Sequence, residues 1–338
     1  MKQVLVTGGA GYIGSHTVVE LVQAGYDVVV VDDLSASDGS LLKGIQAITG
    51  KHIPFVQADV ADVQAMHRIA AEYGTPDTVI HFAAYKSVNE SVAEPLKYYR
   101  NNLGSMVGVL QFVKEQGIKK LVFSSSCSVY GQPEELPVTE QAPMAQPQSP
   151  YANTKKMCEE ILADFCRVHS GFQAVSLRYF NPIGAHPSAL IGELPTGIPN
   201  NLVPYITQTA AGLRDKLYVY GTDYATPDGS CIRDFIHVSD LAAAHVKALE
   251  HQPVQSPDVI NIGTGEGVSV IQLVGLFQDV TGIQLPVEYT QRRPGDVEQV
   301  WADNSKARHT LGWQPRFTVQ QALLSAWNWE KKIRGIAE

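Results

Sequence analysis

The chain has 338 residues, of which 44% are apolar and 18% charged, enough apolar material for one large core or two modest ones. Lysine plus arginine number 26 against 34 acidic residues, a formal charge of -8, so no overall basic field recruits nucleic acid or an anionic membrane, and any anionic ligand must be held by local groups. Four scattered cysteines, Cys127, Cys158, Cys166 and Cys231, lack C-x-x-C spacing, which argues against a disulfide scaffold or a zinc module and predicts a reducing cytoplasm with no metal site.

The first predicted strand, Val4 to Thr7, runs into Thr7-Gly8-Gly9-Ala10-Gly11-Tyr12-Ile13-Gly14-Ser15 and then an amphipathic helix through His16 to Ala24. Its apolar run breaks after three residues, and no stretch approaches the ~18 apolar residues of a membrane span, so neither a signal peptide nor an anchor is expected. Further short β-branched runs follow at Asp27 to Val31, Ile53 to Gln57, Thr78 to Phe82, Lys120 to Ser124 and Ala174 to Arg178, alternating with longer amphipathic segments. That alternation predicts an α/β fold: a Rossmann-type, doubly wound parallel sheet over residues 1–181. Parallel strands are buried on both faces, which accounts for the unbroken Val28-Val29-Val30-Val31.

Beyond residue 181 prolines and glycines crowd a loop-rich stretch through Pro204. Two βα units are then predicted: Cys231 to His237 with Ser239 to Glu250, and Val259 to Ile262 with Ser269 to Val280. The expected layout is a smaller C-terminal α/β substrate domain over 182–338, with 231–266 returning to the first domain.

The glycines of the first turn, Gly8, Gly11 and Gly14, permit close backbone approach and leave helix-start amides facing a pyrophosphate, although a tight strand-to-helix turn needs glycine whether or not anything binds. Asp32, 18 residues beyond Gly14, stands where a dinucleotide site places a carboxylate to accept ribose hydroxyls and repel a 2′-phosphate, which favours NAD over NADP. Asp33 reads equally as a helix cap, and Asp59 as a turn residue.

Ser149-Pro150-Tyr151-Ala152-Asn153-Thr154-Lys155 opens a helix, with Ser149 as N-cap and Pro150 at the first helical position. Tyr151 and Lys155 therefore share a face. A tyrosine base working near neutral pH needs its pKa lowered from about 10, and a lysine one turn away together with a cationic nicotinamide supplies stabilisation of the right sign. The fifth strand ends in Ser124-Ser125-Ser126-Cys127-Ser128 at the carboxyl edge where parallel sheets bind ligands. A surface Tyr/Lys pair and a hydrogen-bonded serine turn are the plainer readings of each motif alone.

Glycine loop, serine and Y-x-x-x-K in this order resemble the extended short-chain dehydrogenase/reductase superfamily. The runs Val4 to His16, Val79 to Ala83, Phe123 to Ser126, Pro147 to Tyr151, Arg178 to Ile183, Gly184 to Ser188, Gly197 to Leu202, Arg233 to His237 and Arg293 to Asp296 are similar to the UDP-glucose (UDP-galactose) 4-epimerase family within it, over nearly the whole chain. The resemblance implies a homodimeric isomerase of galactose metabolism that carries NAD and interconverts UDP-glucose and UDP-galactose through a 4-keto sugar. It makes Tyr151 the base, Ser126 its hydroxyl partner, and Lys155 the residue that binds nicotinamide ribose. Gly8, Gly11, Tyr12, Ile13, Gly14, Asp32, Asp33, Asp59, Val60, Phe82, Lys86, Asn101 and Tyr179 join them around NAD. Asn181, Asn200, Asn201, Leu202, Arg233, Arg293 and Asp296 match residues that hold the UDP-sugar, the arginines facing its diphosphate.

Two departures from the family pattern matter. The segment Ala84-Tyr85-Lys86-Ser87-Val88-Asn89 keeps Lys86 in an altered loop. Val300 aligns with a position that carries tyrosine in some epimerases; valine leaves more room, which extends the expected substrates to UDP-GlcNAc and UDP-GalNAc. Two other functions compete: a nucleotide-sugar 4,6-dehydratase, which would place an Asp-Glu pair where Cys127 and Ser128 stand, and a non-catalytic NAD-sensing regulator, which has little reason to keep Tyr151 and Lys155.

Overall fold

The computed structural model describes every residue except 1, 294 and 338, so Pro294 of the Arg293–Asp296 run lies outside the described residues. Its strands in chain order are β1 (Gln3–Thr7), β2 (Asp27–Asp32), β3 (Phe55–Gln57), β4 (Thr78–His81), β5 (Lys120–Ser126), β6 (Gln173–Tyr179), β7 (Asn181–Ile183), β8 (Leu217–Tyr220), β9 (Ile232–Arg233), β10 (Phe235–His237), β11 (Asp258–Ile262), β12 (Val268–Ser269), β13 (Val287–Thr290) and β14 (Gln299–Val300). Seven form one parallel sheet in the order β11-β6-β5-β4-β1-β2-β3. The order reverses between β1 and β4, which opens a crevice at their carboxyl ends.

Alternate residues of the unbroken apolar runs serve the two faces. Val4, Val6, Val28 and Val30 pack beneath the helices Tyr12–Gln23 and Val238–Glu250. Leu5, Val29 and Val31 pack beneath Val63–Tyr73, Gly104–Gln116 and Pro150–Val168. A further core gathers Val203, Ile206, Leu217, Phe235, Phe277, Leu323 and Trp327 from the C-terminal half.

The predicted strand over Cys231 to His237 is broken at Asp234. The fully buried Asp234 carboxylate accepts from the amides of Thr264, Gly265 and Ala302 and from the Thr264 hydroxyl, which pins the backbone and splits the run. β9 then lies between β12 and β14, while β10 pairs in parallel with β7. Neither joins the main sheet; β11 does, beside β6. The loop-rich stretch after residue 181 also holds more order than expected, in β7 and the helix Leu202–Ala210. Among the described residues no helix is long and apolar enough to cross a membrane.

Candidate active site

The crevice begins at the glycine turn. Gly8 has φ +71, and a side chain there would lie 2.7 Å from the Ala83 amide nitrogen; one at Gly14 would lie 2.2 Å from the Gly8 carbonyl oxygen. Only hydrogen fits at either place, so the turn closes tightly and the helix starting at Tyr12 keeps its first amides uncapped by any side chain. The nearly buried Asp32 carboxylate, at the end of β2, accepts from the amides of Ala10 (3.1 Å) and Leu34 (2.9 Å), which ties strand end to glycine turn. Burial raises its pKa, and those two amides oppose the rise. A glycine cradle that a Cβ would fill, beside a fixed carboxylate, fits a dinucleotide.

Of the other residues expected at the cofactor, Tyr12 and Ile13 start the helix after this turn and Lys86 lies 5.8 Å from the Tyr12 ring centre. The Tyr12 hydroxyl donates to the Gly184 carbonyl (2.6 Å), Ile13 packs partly buried on the core, and the Phe82 ring lies 4.6 Å from that of His245. Lys86 pairs with Glu193 at 2.9 Å. Asn101 donates to Asn102, and the buried Val60 presses its carbonyl against Gly108. Asp59 makes the turn contact of its plainer reading, accepting from the Ala61 amide, whereas Asp33 accepts from Ser35 in a turn and caps no helix, since the next one starts at Leu41.

The helix Pro150–Val168 is capped by Ser149, whose hydroxyl accepts from the Ala152 amide. It brings Tyr151 and Lys155 against the end of β5. The Ser126 hydroxyl accepts from the Ser128 amide at 3.2 Å and lies near enough to Tyr151 to lower its pKa, and Lys155 Nζ donates to the Ser124 carbonyl at 2.7 Å. Tyr179 hydrogen-bonds the Ser124 hydroxyl. In the protein alone burial pushes Tyr151 up to about 12, while Ser126 pulls the other way. The Lys155 ammonium keeps its charge while it donates to Ser124, on the same helix one turn from Tyr151. A downward shift of the phenol comes from positive charge brought near it, that of Lys155 together with that of a cationic nicotinamide.

Two supports of this helix are missed by motif reading. A π-helical turn at Tyr99–Leu103 lets Asn102 donate to Thr154 (2.9 Å) and the Tyr99 hydroxyl accept from Asn153 (2.7 Å); the adjacent Asn101-Asn102 pair before a small-residue helix is the signal that could have found it. Glu159, one turn past Lys155, takes a bidentate pair from buried Arg178 at 2.9 and 2.6 Å and a hydrogen bond from Ser125. No spacing rule links these three strand and helix positions.

On the substrate side, the Asn181 amide donates to the Asp234 carbonyl, and Asn201 donates to Glu193 at 2.6 Å. Asn200 is exposed, and Leu202 starts the following helix. Arg233 lies opposite Val300 in the β9–β14 pair, and Val300 is buried among Val129, Tyr130, Val138, Phe180 and Ala302. Arg293 pairs with Asp296 at 2.8 Å and lies 5.6 Å from the Tyr220 ring centre.

The NAD dependent epimerase/dehydratase family matches residues 4–263. The UDP-glucose 4-epimerase of Bacillus subtilis (strain 168) is 48% identical over 328 residues, which cover 97% of this chain and 96% of that one. The chain belongs to the UDP-glucose 4-epimerase branch of this family. A solved structure of UDP-glucose-4-epimerase from Stenotrophomonas maltophila, with bound NAD and formylated UDP-arabinopyranose, aligns over 100% of both chains at TM-score 0.95 and 45% identity. The UDP-Glc/GlcNAc 4-epimerase of Campylobacter jejuni aligns over 98% of this chain and 100% of that one at TM-score 0.84 and 36% identity. Family membership gives the crevice its cofactor, NAD.

Proposed function

We infer that the protein interconverts UDP-glucose and UDP-galactose by inverting carbon 4 of the hexose. The observation that carries this reading is the convergence of Tyr151, Ser126 and Lys155 at the carboxyl edge of β5, beside the glycine cradle, in a chain of this family. Bound NAD supplies a hydride acceptor that becomes the donor, so carbon 4 passes through a ketone and is reduced on its opposite face.

The chain's own residues do the rest. Uncapped amides after Gly11 hold the pyrophosphate, and Asp32 accepts ribose hydroxyls. Lys155 binds the nicotinamide ribose, with Lys86, Asn101, Phe82 and Tyr179 lining the same cleft. Tyr151 takes the proton from the 4-hydroxyl and returns it, with Ser126 orienting the same oxygen. Arg233 and Arg293 clamp the diphosphate, and Asn181, Asn200, Asn201, Leu202 and Asp296 position the nucleotide. Firm contacts on the diphosphate with few on the hexose let the sugar turn its other face.

The dehydratase alternative is disfavoured because elimination needs an acid where Cys127 stands, and burial pushes that thiol up to about 12. The regulator alternative leaves the grouping of Tyr151, Ser126 and Lys155 at the end of β5 without a purpose. Val300 in place of a tyrosine supports turnover of UDP-GlcNAc and UDP-GalNAc as well. A homodimer goes with the uncovered apolar side chains of Val92, Leu96 (79% exposed) and Val107 on neighbouring helices. A cytoplasmic location goes with four free cysteines.

The test incubates purified protein, with no added NAD, with UDP-galactose and with UDP-GalNAc, each deuterated at carbon 4. Inverted product that retains deuterium, and loss of turnover by roughly 10²–10⁴-fold in Tyr151→Phe, are expected. Loss of label to solvent, or full activity of that variant, overturns the reading.

A further inference from the structure

Glu193 stands between the two halves of the candidate site. One carboxylate oxygen, Oε1, accepts both from Lys86 Nζ at 2.9 Å and from Asn201 Nδ2 at 2.6 Å. Lys86 comes from the loop after β4, on the cofactor side. Asn201 comes from the start of the Leu202–Ala210 helix, on the nucleotide side. Lys86 also lies 5.8 Å from the ring centre of Tyr12, the residue that follows the last position before the first helix of the glycine turn.

Two local features show that this junction is built at a cost to helix capping and backbone freedom. Asn201 occupies the N-cap of its helix, where an asparagine ordinarily accepts from the second or third helical amide; here it makes no cap hydrogen bond and turns its amide to Glu193. The backbone of Glu193 is fixed, since its carbonyl accepts from Trp329 Nε1 at 2.9 Å. Gly192 lies so close to the same indole that a side chain would sit 2.4 Å from Cγ. The carboxylate is thus aimed from a rigid base, with its side chain only 12% exposed.

We propose that Glu193 is a positioning residue that orients Lys86 and Asn201 together and so couples retention of NAD to binding of the UDP-sugar. The proposal rests on the reading of Lys86 as a cofactor ligand and Asn201 as a nucleotide ligand. A lysine on a flexible stem and an asparagine amide each lose less freedom on binding when a common carboxylate already holds them. Glu193 Oε1 is the atom that Lys86 and Asn201 share, so on this proposal a change at Lys86 reaches the nucleotide side through it, and the coupling is felt equally from either ligand.

The experiment uses holoenzyme and two readouts: UDP affinity by calorimetry, and the rate at which bound NAD exchanges with labelled NAD. Glu193→Gln keeps an acceptor for Asn201 but removes the charge that holds Lys86; melting by circular dichroism reports whether it folds. Weakening of UDP binding and acceleration of NAD exchange, each by about tenfold, are expected, the size of one charge-assisted hydrogen bond. In the wild-type background Lys86→Met also weakens UDP binding; in the Glu193→Gln background it adds nothing to that loss. Equal effects of Lys86→Met on UDP affinity in both backgrounds, or none in either, overturn the coupling. The ligand reading fails separately: Asn201→Ala would leave UDP affinity unchanged, or Lys86→Met would leave NAD exchange unchanged.

Discussion

Lys155 Nζ donates a 2.7 Å hydrogen bond to the Ser124 carbonyl, and the side chain is 4% exposed. The hydrogen bond holds the ammonium at the end of β5 but does not replace water. Burial lowers its pKa to about 8 from an ordinary 10.5, and Cys158 and Glu159 oppose the fall. Between those two values the unfolded chain carries a proton that the folded chain has lost. Stability therefore rises as pH climbs from about 8 toward 10.5, and below 8 the burial cost is carried in full. Urea unfolding is expected to show Lys155→Met more stable than wild type at pH 7, with the advantage shrinking toward pH 10, although the variant is inactive. A constant difference across that range would contradict the assignment.

Gly14→Ala places a methyl 2.2 Å from the Gly8 carbonyl oxygen and 2.8 Å from Gly9 Cα. Both are backbone atoms, so the turn has to open. Overpacking of this kind costs about 1–3 kcal/mol, and the larger effect is expected on the cofactor. Gel filtration of the variant should separate protein from NAD under conditions where wild type retains it.

Arg178 and Glu159 are an ion pair with both side chains buried. Removing one partner leaves the other charged in the interior, and Arg178→Met is expected to destabilise by about 3–5 kcal/mol. Arg178→Met with Glu159→Leu should recover most of that loss in a thermal melt. Activity should stay low in the double variant, since Ser125 and the helix that carries Tyr151 lose their shared anchor.

Val300 is 5% exposed and lies opposite Arg233 in the β9–β14 pair. Tyrosine there adds bulk beside Arg233 and the apolar cluster that surrounds the position. Turnover of UDP-GalNAc is expected to fall roughly 100-fold more than that of UDP-galactose in Val300→Tyr. An unchanged ratio of the two rates would show that the position only packs.

What the sequence determined by itself is local chemistry and its repeat along the chain. The strand-to-helix glycine turn, the acidic end of β2, and the N-cap, proline and Y-x-x-x-K of the Pro150–Val168 helix are readable because each is fixed by neighbours within a few residues. The sheet follows from the alternation of β-branched runs with amphipathic ones, since that pattern buries both faces only in a parallel order.

Tertiary structure alone decided the contacts between distant segments. Asp234 breaks an apolar run because amides some 30 to 68 residues away claim its carboxylate. Glu193 joins Lys86 to Asn201, Glu159 meets Arg178, and Lys155 reaches the Ser124 carbonyl. Each depends on how buried polar groups find partners once the chain is compact, and no periodicity in the sequence records that choice.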